Sequence, residues 1–142
     1  MQWIIALLVV GGALWWIVAD TNNPDDPGRL KIEVASLRSS AAEALKLIEQ
    51  IEAGRLTNHF FQVETSLLHE KAGSVLKKIR STPPQPGLEE KYRQASDLAD
   101  QAEAALNRLS AAADSKEIRQ GTSAKLQEVL RLAAGLEKSL QQ

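Results

Sequence analysis

The sequence predicts an all-α protein: a single N-terminal transmembrane helix followed by an antiparallel helical domain patterned in heptads. Three observations predict it. Residues 3–19 contain no charged residue and no proline. Beyond residue 29 the apolar residues recur in alternating steps of four and three, the seam of helices that pack side by side. A proline-rich segment, Ser81-Thr82-Pro83-Pro84-Gln85-Pro86-Gly87, cannot lie inside a helix and divides the helical part into two similar halves. The expected organisation is an anchor at 1–19, a Pro/Asp-rich linker at 20–28 and a helical domain at 29–142 with a turn at 81–87.

The 17 residues from Trp3 to Ala19 would reach about 26 Å as a helix, slightly less than the roughly 30 Å hydrocarbon layer, so a nearly upright span is expected. Trp3 near one end and Trp15 and Trp16 near the other are placed where indole rings favour the headgroup boundary. A cleaved signal peptide would need a basic start and small residues before the cleavage point. Here no Lys or Arg precedes residue 29, and bulky Trp side chains occupy the positions where small ones are required. Arg29, Lys31 and Arg38 follow the span, which by the positive-inside rule puts the helical domain on the cytoplasmic face of the inner (cytoplasmic) membrane.

Turn formers in Asn22-Asn23-Pro24 and Asp25-Asp26-Pro27-Gly28 separate the anchor from the first helix. Leu30, Val34, Leu37, Ala41, Ala44, Ile48 and Ile51 form the first seam. Ala53-Gly54-Arg55-Leu56 has the form of a helix end with glycine in the left-handed position, and Thr57 or Asn58 can cap the next helix. That helix is expected to bury Leu56, Phe60, Val63 and Leu67, then Leu68, Ala72, Val75 and Ile79. Its basic end, Lys77, Lys78 and Arg80, faces Glu89 and Glu90 across the loop, a charge arrangement that favours a closed hairpin. Leu88, Tyr92, Ala95, Ala99, Ala102, Leu106, Leu109 and Ala113 form the third seam, rich in alanine. The last begins either near Asp114 or after Gly121, and uses Leu126, Val129, Ala133, Leu136 and Leu140.

A hairpin closed at 81–87 sets Gly54 opposite Asp114, so both halves weaken at the same level. Four helices of about 24 residues in a bundle are preferred over one long two-helix hairpin, because a two-helix seam encloses little apolar surface. Phe60, Phe61 and Tyr92 are the aromatic residues outside the anchor. A bundle can enclose them, and any left exposed would mark a partner surface.

Little chemistry is written into the sequence. Cysteine is absent, which excludes disulfides and thiolate metal sites. His59 and His69 are ten residues apart, roughly 80° around a helix, and neither lies in a Glu-x-x-His or His-Glu-x-x-His arrangement. No phosphate-binding glycine loop or nucleophile elbow occurs, and no clustered basic face suited to nucleic acid. The expectation is therefore no enzyme activity, no cofactor and no metal. The protein is expected to be a membrane-tethered helical scaffold, adaptor or accessory subunit, partnered by the bilayer and by membrane or membrane-associated proteins, itself included. The alternative is an extracytoplasmic sensor or envelope-spanning element.

Overall fold

The computed structural model describes residues 28–142. The expected anchor, its interface residues Trp3, Trp15 and Trp16, and the linker up to Pro27 lie outside the described residues. Within them the chain forms α1 (Gly28–Glu52), α2 (Asn58–Ser81), α3 (Glu89–Ala111) and α4 (Lys116–Ser139). No described helix is long and apolar enough to cross a membrane.

Each reversal has a local cause. After α1, Gly54 adopts φ 70°. Its N–H donates to Ile51 O at 3.0 Å, and that of Arg55 donates to Gln50 O at 2.9 Å, the paired bonds of a Schellman ending. Thr57 then caps α2 by accepting from the Phe60 N–H. At the far end of α2, Thr82 is driven to extended backbone (φ −96°, ψ 121°) by the proline that follows it. Gln85-Pro86-Gly87-Leu88 closes as a type II turn, with Gly87 at φ 85° and Leu88 N–H donating to Gln85 O. Between α3 and α4 the cap is Ser115, which accepts from Ile118 N–H. Of the two expected starts the one near Asp114 is observed, with the cap one residue on at Ser115, whereas Gly121 lies inside α4.

The helices run antiparallel in sequence order, as the cross-helix pairs show. Glu33 meets Lys78, His69 meets Glu103, Lys91 meets Ser139, and Glu52 meets Arg119. The α1–α4 packing closes the ring, so the domain is a four-helix bundle and not a long hairpin. The charges flanking 81–87 do not pair across the loop: Arg80 reaches Asp100 on α3, Lys78 reaches Glu33, and Glu90 is held by Arg93 on its own helix.

The bundle is not square. α1 and α3 meet across its middle, whereas α2 and α4 do not approach each other. Helices on the short diagonal touch three neighbours and need a wider buried stripe than helices with two. Accordingly α1 buries Ser40 and Leu47 beside its expected seam, and α3 buries Leu98 and Ala105 beside its own. Alanine makes the approach possible: Ala41, Ala44, Ala95, Ala99 and Ala102 are all fully enclosed, and the α1 pair lies within about a helical turn of the level of Ala99 and Ala102.

The expected seam of α2 is corrected over its first half. The buried residues are Phe61, Thr65, Leu68, Ala72, Val75 and Ile79, one unbroken rhythm, while Phe60, Val63 and Leu67 are exposed. Thr65 fits the core because its hydroxyl donates to Phe61 O at 2.8 Å. α4 likewise continues its seam upstream through Thr122 and Arg119. Arg119, 9% exposed, donates to Glu52 Oε1 and to Ala113 O, each at 2.6 Å, joining the end of α1 to the α3–α4 turn.

Two expectations follow. Arg119→Ala leaves Glu52 without its charge partner and Ala113 O without a donor, and should lower stability by about 2–3 kcal/mol in urea titration. Ala99→Leu forces a larger side chain into the short diagonal and should be destabilising by roughly 1–3 kcal/mol, whereas Ser66→Leu on the half-buried flank of α2 should have much less effect.

Candidate functional site

The outer face of α2 carries the most distinctive surface. Phe60, Val63 and Leu67 are 47%, 43% and 54% exposed. At 100° per residue they share one face, directed about 140° away from the buried stripe. Half-buried Leu56, just ahead of the Thr57 cap, packs against the core and ends the stripe on that side. The other aromatic candidates are not available to a partner. Phe61 is fully enclosed and Tyr92 is 6% exposed, because each falls on the core rhythm of its helix. Of the three, only Phe60 is presented to solvent.

The histidines are not brought together. His59 is exposed at the start of α2, and His69 donates from Nε2 to Glu103 Oε1 at 2.5 Å, linking α2 to α3. No group of His, Asp or Glu among the described residues is arranged to hold a metal ion.

A second surface feature is a groove of about 400 Å³ between α3 and α4. Leu98, Leu132 and Leu136 give it an apolar floor. Gly135 lacks the side chain that would narrow it, and Gln94, Asp97, Gln101, Arg131 and Ser139 form the rim. Arg131 is already paired with Glu128 through two nitrogens, and Asp97 with Arg93. The rim therefore presents compensated charge. Elsewhere, Glu137 is 8% exposed and pairs with Arg38 at 3.0 Å. Its Oε1 is the buried side-chain oxygen without a hydrogen-bond partner among the described residues.

Arg93 and Glu90 are joined by two hydrogen bonds on the exposed face of α3, at 2.6 and 2.9 Å. These bonds, with a further one from Gln94, pull the Glu90 carboxyl down to about 2. The Arg131 guanidinium lowers Glu128 in the same way.

With this geometry in view, the chain was compared with known proteins: no family model, curated protein or solved structure matches it. The reading of function therefore rests on its own residues.

Because the folded-state value of Glu90 lies below its ordinary 4.5, its ion pair favours the folded state above that pH, and the contribution fades as pH falls toward about 2. NMR titration of the side-chain carboxyl carbons should show Glu90 titrating well below the ordinary carboxylate range. Arg93→Ala should return Glu90 to the ordinary range with little change in thermal midpoint, since both groups are exposed.

Proposed function

We propose that the protein is a membrane-tethered contact platform, a scaffold or accessory subunit of a membrane complex that works by binding other proteins. The observation that carries this reading is the apolar stripe Phe60-Val63-Leu67 on a helix whose opposite face already fills the core. Stability does not call for large apolar side chains there, and a contiguous apolar strip with heptad spacing suits a helix from a partner. The uncharged stretch 3–19 supports tethering, which would confine the stripe to a thin layer beside the membrane and raise the effective concentration of partners held there. The basic residues Arg29, Lys31 and Arg38 favour the cytoplasmic face.

The α3–α4 groove supports a second reading, a sensor whose groove takes a small molecule with an apolar body and an uncharged polar end. Thermal shift against a panel of such compounds tests it, and a midpoint that never moves argues against it.

Tethering predicts that the full-length chain stays with membranes through alkaline carbonate extraction, and an activity reporter fused after Gln142 should be active only on the cytoplasmic side. For the platform itself, native-membrane pull-down should return the chain in an assembly larger than one copy. The double substitution Phe60→Ser/Leu67→Ser should lose that assembly while leaving stability within about 1 kcal/mol of the parent. Recovery of a single monomeric chain in every detergent would overturn the reading.

A further inference from the structure

We propose that the α2 stripe pairs with the same stripe of a second copy, in a parallel two-fold arrangement that keeps both chains' first helices starting at the same end. This rests on the platform reading above and names its partner. The sequence repeats on α2 what it does inside the bundle. Phe60, Val63 and Leu67 keep steps of three and four, a short seam of about two helical turns that no helix of its own chain covers.

The flanks select the partner and its direction. His59 and Glu64 stand on opposite sides of the stripe, each about 70° from its centre, and Ser66 and Lys71 repeat the arrangement one heptad on. Neither His59 nor Glu64 has a side-chain hydrogen bond or ion pair among the described residues, so both are open to a partner. In a parallel pair the residue flanking one side meets the residue five positions on in the partner, so each His59 imidazole comes opposite the Glu64 carboxylate of the other chain, and each Ser66 opposite Lys71. An antiparallel pair centred on the stripe would instead bring Glu64 against its own symmetry mate, two carboxylates with nothing between them.

Under the tethering reading, with the bundle upright on its anchor, the stripe stands clear of the lipid. Phe60 lies near the far end of the bundle, at the level where the 25-residue α1 ends, about 35 Å from the start of α1 along the helix axis. Two copies anchored in one membrane present their stripes at equal height and in the same sense, which is the parallel geometry. Beyond Leu67 the seam positions become Glu70, Ser74 and Lys77, so contact stops after about three side chains per chain. That area is well below a standard stable interface, and pairing is therefore expected to depend on confinement to the membrane plane.

The chain has no cysteine, which makes disulfide mapping direct. Full-length Phe60→Cys, Val63→Cys and Leu67→Cys, each alone, are reconstituted in vesicles and oxidised, with Gln62→Cys on the same helix as the off-stripe control. All three stripe variants should form a symmetric disulfide dimer roughly tenfold or more faster than the control. Circular dichroism of each variant verifies the bundle. Dimer formation at Val63→Cys alone, with Phe60→Cys reacting only in mixtures with Leu67→Cys, would show antiparallel pairing and overturn the proposal. No acceleration over Gln62→Cys at any of the three positions would overturn self-pairing. In that case assembly with other proteins in the pull-down leaves the platform reading standing, and a chain recovered as a monomer removes both. If carbonate extraction strips the chain from membranes, the same oxidation is run in solution at a protein concentration as high as that reached in the membrane plane, and no acceleration over Gln62→Cys there overturns self-pairing.

Discussion

The close approach of α1 and α3 is the constraint on which the rest of the bundle depends. Two helices can cross the centre only if their facing side chains are small, and Ala41, Ala44, Ala99 and Ala102 satisfy that at one level. Once they meet, α2 and α4 are pushed apart to the long diagonal, each touching only two neighbours and burying only a narrow seam. The outer faces of α2 and α4 are thereby the ones free of internal duties. It is on these two helices that the exposed apolar stripe and much of the wall of the groove are found. A core built from larger residues would give a squarer bundle with less difference between its helices.

Much of this was legible in the sequence. The four-three spacing of α1 and α3 found their buried residues nearly completely, the prolines marked the central loop, and Gly54 marked the first reversal, because each signal has a direct cause in backbone geometry. The error on α2 is instructive. Two rhythms one residue apart coexist there, Phe60-Val63-Leu67 and Phe61-Thr65-Leu68. The more apolar one looked like the core, and the true one contains a threonine whose hydroxyl is satisfied by its own helix. Arg119 was missed for a related reason: a buried guanidinium is compatible with the seam only through Glu52 and Ala113, distant in the chain. A search for apolar letters cannot see polar groups that bring their own partners. The signal available for α2 was continuity, since only the Phe61 rhythm runs to Ile79 without a change of phase.

That displaced rhythm also carries the functional reading. A helix with one apolar seam is accounted for by its own bundle, and α2 has two. Histidine and acidic residues flank the outer one, whereas the salt bridges elsewhere on the surface are closed within the chain. An apolar stripe bordered by an imidazole and a carboxylate that have no side-chain partner among the described residues favours association there, because both the apolar and the polar groups gain by meeting another molecule.

The even number of helices among the described residues has a mechanical consequence. Gly28 and Ser139 lie at the same end of the bundle, on adjacent helices α1 and α4. Tension between these two points would therefore open the α1–α4 seam from one end, breaking the Arg38–Glu137 pair before load reaches the Arg119 clamp at the other. Contacts would yield one layer at a time, a low-force peeling mode.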